Sequence, residues 1–311
     1  MDVALALGGG GIKGIAHLGV IRQLERAGVR IRAVSGTSAG GLVGALFSAG
    51  LSSTQIINLV DRMVATNLFK RGPNDGPSLM GLAGFTSIMI EAIENRCFTD
   101  LQIPFACTAV DVNTGTEFIL QDGPVIDAVL ATIAVPGVFP PRRMGNATLV
   151  DGGIMDPVPV ALARKLAPQL PVIAVVLSPA RDKWARVPPM HLPITPPLPI
   201  PSPIVESLTR MRYAQALQIY IESMDISSRM LTEMRLAIDR PDVIIRPDVD
   251  RFGILDQLNS HQINELLQAG DRAALAALTE IRESTSFLSQ VIRKLRKNEN
   301  GSPAHLSIHD E

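Results

Sequence analysis

Apolar residues recur along the chain in two periods. Val3 to Leu7 is a short continuous apolar run, stopped by four glycines at positions 8–11. A helical pattern follows, with Ile15, Leu18, Val20, Ile21 and Leu24, and Gly28 closing it. Ile31 to Ser35 reads as a second strand, and the small-residue stretch Gly41 to Ala49 as a helix closed by Gly50. A strand–helix–strand–helix opening is the pattern of a parallel sheet with helical crossovers, so the fold class is α/β. Further on, Phe105 to Val110 and Thr116 to Leu120 read as a strand pair, Val125 to Thr132 as a helix, and Thr148 to Val150 as a short strand. Val158 to Leu166 is helical, and Val172 to Leu177 is a strongly apolar strand. Residues 66–90 hold four glycines, two prolines and several large apolar residues, and read as a loop or short cap helix; 79–90 is a candidate lid.

Eight prolines lie between Pro188 and Pro203, which excludes a helix or central strand there and predicts an extended connector. Beyond it, Ile204 to Leu236 reads as a long helix or helical pair with a Met-rich stripe, suited to packing on its own domain or on a second copy as a homodimer. Asp242 to Pro247 holds a short strand, and Ser260 to Ile281 a final core helix. The organisation expected is one domain over 1–296 (core 1–180, connector 187–203, helical part 204–296) and a disordered tail over 297–311. No internal repeat stands out.

Composition narrows the partners. At 311 residues and 46% hydrophobic, the chain can bury a core, which excludes wholesale disorder. The 29 basic and 30 acidic residues balance to a net charge of -1, which argues against a nucleic-acid partner. Charge is absent from Ala33 to Val60, but that stretch is rich in Gly, Ser and Thr and suits a buried strand–turn–helix better than a membrane span. Cys97 and Cys107 form no CxxC pair and read as two buried thiols, so no metal site is expected. The start lacks a basic region and a full apolar stretch, so no secretory signal is expected. The chain is expected in the cytoplasm, with peripheral contact at the inner membrane surface.

The chemistry concentrates in three places. Gly36-Thr37-Ser38-Ala39-Gly40 follows an apolar strand and precedes a helix, the context of a nucleophile elbow. There Gly36 and Gly40 clear the turn and Ser38 presents its hydroxyl. Gly8 to Gly14 admits two readings. Gly9, Gly11 and Gly14 satisfy a dinucleotide fingerprint, but the second strand ends without the carboxylate that would hold a ribose. The other reading is an oxyanion hole of bare backbone N–H groups, with Lys13 adding positive potential or lying solvated at the surface. Asp151-Gly152-Gly153 places a carboxylate at a strand end, on the rim that Ser38 would share. Asp111 and Asp156 read as structural. None of the five histidines has a catalytic context; His17 reads as packed or at the surface and His261 as exposed. A Ser–His–Asp triad is therefore poorly supported.

In this order, GGGIKG at 9–14, GTSAG at 36–40 and DGG at 151–153 resemble the patatin-like phospholipase family, and residues 131–141 are similar to a further block of it. The resemblance spans roughly residues 3–180, with a weaker echo at 243–248. It implies a three-layer α/β/α fold around a mainly parallel sheet and a Ser–Asp dyad. Ser38 is then the nucleophile, Asp151 the base, and Gly9, Gly10 and Gly11 the oxyanion donors. It implies no cofactor and no metal, and a phospholipid or lysophospholipid substrate cleaved at its carboxylic ester. Lys13 stands where Arg is also common and Thr132 where Ser is usual. A different class, a non-catalytic regulatory or scaffold protein on the same fold, would rely on the proline tract and the Met-rich helix.

Overall fold

A computed structural model describes residues 1–65, 78–186, 204–254, 256, 258–286 and 289. The proline-rich connector, the first part of the glycine- and proline-bearing loop and the C-terminal tail lie outside these residues.

Among the described residues the eight strands are β1 (Asp2–Leu7), β2 (Arg30–Thr37), β3 (Phe105–Asp111), β4 (Thr116–Leu120), β5 (Arg142–Met144), β6 (Ala147–Asp151), β7 (Val172–Val175) and β8 (Val243–Ile245). They form one sheet in the order β5-β6-β3-β2-β1-β7-β8, with β4 also paired to β3. The pairs β3–β2, β2–β1, β1–β7 and β7–β8 are parallel; β4, β5 and β6 join antiparallel. The sequence expectation of a mainly parallel α/β sheet therefore holds.

Alternation along β1 explains the layers. Val3, Leu5 and Leu7 point to one face of the sheet, and Ala4 and Ala6 to the other. The larger side chains meet α1 (Ile15–Arg26), α2 (Ala39–Ser48) and α8 (Ser260–Ser284) in the main core. The alanines leave room for α6 (Val160–Leu166) and for Leu236 of α7 (Ile204–Asp239) on the opposite face. The remaining helices are α3 (Ser53–Ala65), α4 (Ala83–Ile93) and α5 (Val125–Thr132), all on the main-core side. The uncharged stretch 33–60 is thus a buried strand, turn and helix followed by most of α3. Among the described residues no helix is long and apolar enough to cross a membrane.

Of the loop and cap-helix alternatives for this region, residues 83–93 take the helix, and Leu82, Phe85 and Met89 are buried in the main core, so this part of the candidate lid is packed structure. Cys107 is buried as expected, but Cys97 is only half-buried; both are free thiols.

Candidate active site

The sheet register brings the elbow and the Asp-Gly-Gly turn together. β4 pairs with Cys107–Asp111 of β3 along one edge. β2 pairs with Phe105–Thr108 and β6 with Ala109–Asp111, so both must occupy the other edge, one after the other. β2 runs up that edge and leaves at Thr37, opposite Thr108; β6 runs down it and leaves at Asp151, opposite Ala109. The C-terminal ends of two antiparallel strands therefore meet head to head at neighbouring positions of β3. Asp151 does share the rim of Ser38, but because β6 overshoots the rim and returns, not because it is parallel.

At the end of β2 the chain makes the elbow. Ser38 adopts φ 54° and ψ −123°, a region that costs a non-glycine residue about 1–3 kcal/mol. The residues two before and two after it must be glycine. A Cβ on Gly36 would stand 2.4 Å from the Gly40 carbonyl oxygen, and one on Gly40 would stand 2.1 Å from that of Leu7. The turn is pinned from a side the sequence motifs do not cover. Thr132, at the end of α5, accepts the Ser38 N–H through Oγ1 (2.9 Å) and donates the same hydroxyl to the Thr108 carbonyl (2.7 Å). Thr37 Oγ1 lies 2.8 Å from Thr108 Oγ1 and donates to the Asp156 carbonyl at 2.7 Å. Three buried threonines thus tie β2, β3, α5 and the segment after β6 around the serine. Only the α5-end position was visible in the sequence, as a substitution within a motif block.

Asp151 is buried beside Ser38. Its Oδ1 accepts the Gly153 N–H at 2.8 Å. Burial raises its pKa from 3.8 to about 6, against the lowering effect of the neighbouring Ser38 side chain and the Gly153 N–H. The carboxylate thus holds a proton-accepting strength that an exposed Asp lacks.

Facing the elbow is the glycine loop, carried by β1 next to β2, with Leu7 opposite Gly36. Gly8 donates its N–H to the Val175 carbonyl (3.0 Å) and Gly9 to that of Pro157 (2.9 Å). The Gly9 N–H is therefore engaged, contrary to its expected place among three oxyanion donors; Gly9 instead provides clearance, since a Cβ there would lie 3.3 Å from Ser38 Cβ. Among the described residues the N–H groups of Gly10 and Gly11 have no backbone partner. His17 anchors the loop from below: fully buried, its Nε2 lies 2.8 Å from the Gly8 carbonyl oxygen. Burial drives its pKa down to about 4, so the ring is neutral, Nε2 carries the hydrogen, and its role is packing. Lys13, read as either site-supporting or solvated, is buried, and desolvation lowers its pKa.

Ser38, Asp151, Gly10 and Gly11 border a cavity of about 700 Å³. Its walls are apolar and come from separate layers: Leu42 and Val43 of α2, Phe85 of α4, Phe139 after α5, and Ile221 and Met224 of α7. Leu82 and Phe85 are therefore both core and cavity wall. α7 is clamped next to the site, because Arg235 pairs with the buried Asp156 at 2.8 Å. Asp156 is thus structural as expected, and so is Asp111, which accepts the Thr148 N–H (2.9 Å) and the Thr114 hydroxyl (3.0 Å) at the β3–β4 turn. His261 is exposed and pairs with Glu265. No cluster of His, Cys, Asp and Glu able to hold a metal occurs among the described residues.

The fold and this geometry define an α/β/α protein with a serine–carboxylate site on the wall of an apolar cavity. The chain belongs to the patatin-like phospholipase family, whose family model matches residues 5–164. An uncharacterized NTE family protein of Mycobacterium tuberculosis is 34% identical over 60% of this chain and 53% of its own length. The chain spans about half the length of that relative. Lysophospholipase NTE1 of Mycosarcoma maydis is 31% identical over 52% of this chain and 9% of that protein. Among solved structures, VipD from Legionella pneumophila matches with a TM-score of 0.48 and 13% identity, over 89% of this chain and 66% of that one.

Proposed function

We propose that this chain is a serine acyl hydrolase that cleaves carboxylic esters of phospholipids or lysophospholipids. The observation that carries the reading is the placement of Ser38 beside a buried Asp151, its pKa raised to about 6, on the wall of the apolar cavity. A carboxylate of that strength accepts a proton near neutral pH while still being largely ionised. The relatives' names, a lysophospholipase among them, support a lipid ester as the substrate.

The ester carbonyl carbon sits above Ser38 Oγ, with the acyl chain along the apolar walls. Asp151 takes the hydroxyl proton as Oγ forms the new C–O bond, and the carbonyl π pair moves onto oxygen. The Gly10 and Gly11 N–H groups receive that oxyanion, with the N-terminal end of α2 adding favourable potential. The tetrahedral intermediate collapses, the C–O bond to the alcohol breaks, and Asp151 returns its proton to the leaving oxygen. Water then enters, gives its proton to Asp151 and attacks the acyl-enzyme, releasing the fatty acid and restoring Ser38. Preorganised N–H donors of this kind are each worth about 3 kcal/mol in the transition state.

Intact-mass spectrometry after a fluorophosphonate probe tests the nucleophile. One adduct is expected on the wild type and none on Ser38→Ala. Release of fatty acid from lysophosphatidylcholine and phosphatidylcholine, lost in Asp151→Asn, tests the substrate class. A folded wild type that neither labels nor releases fatty acid, with detergent present or absent, overturns the proposal.

A further inference from the structure

The outward side of α7 has the character of an interior. From Ile219 to Ile238 nine residues are exposed, and none is charged. Ile219, Ile226, Met230, Met234 and Ile238 recur at spacings of seven, four, four and four, which puts them on one side of the helix. Their exposure is high for such residues: 63% for Ile219, 62% for Ile226, 53% for Met234 and 68% for Ile238. The charged residues of the same stretch are all at least half-buried along its flanks and inner side, and most are ion-paired: Asp225 with Arg229, Glu233 with Arg246 (2.9 Å), and Arg235 with Asp156 (2.8 Å). An ordinary surface helix distributes these two classes the other way round.

We infer that this face is the contact between two copies of the chain, with their α7 helices packed antiparallel about a two-fold axis level with the Ser228–Arg229 peptide. The face is complementary to itself in that register. Ser223 falls opposite the partner's Met234, Ser227 opposite the partner's Met230, and Ile219 opposite the partner's Ile238. Small residues thus receive large ones at four central positions of an isologous contact, and the unbranched methionines adapt to the gaps. The contact extends over about 30 Å of helix, at 1.5 Å per residue. The large side chains offer on the order of 600 Å² per protomer, or about 1,200 Å² in total, which reaches the lower bound of stable interfaces. A helix lying on a lipid surface carries Lys and Arg beside its apolar side to meet headgroups; the exposed residues of this stretch include none. The contact also has a consequence for the cavity, since Ile221 and Met224 on the inward side of the same helix line its wall and so do the exposed Tyr220 and Ser227 at the edge of this face.

The test is the mass in solution of the full chain by light scattering at about 50 µM. The wild type is expected at twice 33.3 kDa, and Ile226→Asp and Met230→Lys each at 33.3 kDa. Both side chains are exposed, so the far-ultraviolet circular dichroism of the variants is expected to match the wild type. Mixing Ser227→Glu with Met230→Lys places opposite charges across the contact and is expected to restore the dimer. A monomeric wild type overturns the proposal, as does a dimer that both charged variants leave intact. A mixture that stays monomeric overturns the register. A monomeric wild type that floats with phosphatidylcholine vesicles, while Met230→Lys does not, overturns it in favour of a lipid surface.

Discussion

Replacing Asp151 by Asn is expected to change stability in a pH-dependent way whose size follows from the burial of the site. In the folded protein Asp151 titrates at about 6; in the unfolded chain it returns to about 3.8. Between those values the native state holds a proton that the unfolded state has lost. Stability therefore falls as pH rises through the window, by about 1.4 kcal/mol per pH unit. The sign is that of a carboxyl with a raised pKa: its favourable contribution is complete below the unfolded value and gone above the folded one. The window is close to two pH units wide, so the loss totals about 3 kcal/mol, most of it between pH 4 and pH 7. Asn is uncharged throughout, nearly isosteric, and keeps an acceptor for the Gly153 N–H. Every other titrating group cancels in the difference between the two proteins. Urea unfolding of both from pH 4 to pH 7.5 should show Asp151→Asn gaining about 2.5 kcal/mol relative to wild type as pH rises, the rest of the loss lying below pH 4. The wild-type acylation rate should rise about tenfold per pH unit below 6 and level off above it, since only the ionised carboxylate accepts the serine proton. Stability differences that stay parallel within about 0.5 kcal/mol across the range would refute the buried, proton-accepting role of Asp151.

Thr132→Val should leave the buried Ser38 N–H and Thr108 carbonyl without their partner, costing about 2 kcal/mol or more and slowing probe labelling of Ser38, whereas Thr132→Ser should keep both bonds and both properties; thermal unfolding and labelling rates separate the two variants. Ser38→Gly should unfold later than Ser38→Ala by about 1–2 kcal/mol, because the positive φ at the elbow strains alanine and not glycine, while neither variant labels. Gly40→Ala should fail to accumulate as folded protein in a circular dichroism melt, since its Cβ would stand 2.1 Å from the Leu7 carbonyl oxygen and both neighbours are backbone.

What the linear chain determined is what local rules govern. Apolar runs of strand length, glycines where a turn admits no Cβ, and the strand–turn–helix context of Ser38 are set by residues a few positions apart, so the class of sheet, the elbow and the Asp-Gly-Gly turn are legible in the sequence. The α7 span was readable for the same reason, since helical periodicity is local. Tertiary structure decided everything that depends on what a group meets from far along the chain. Whether Lys13 is solvated or buried depends on the elements that close over it, and whether Gly9 donates to an oxyanion depends on the Pro157 carbonyl 148 residues later. The sense of β6 followed from the free edge that β2 leaves on β3, which no pattern in Ala147–Asp151 encodes. The threonine set around Ser38 was hidden because threonine has many local uses and only the assembled sheet shows which carbonyl its hydroxyl reaches. Periodicity marks α7 as apolar and Met-rich, but which side faces outward is fixed by Asp156 and Arg246, whose ion pairs draw charges of the helix toward the protein. Hydrophobic period reports that a face is to be buried; the burial partner is chosen by long-range pairing and packing, which are properties of the folded chain.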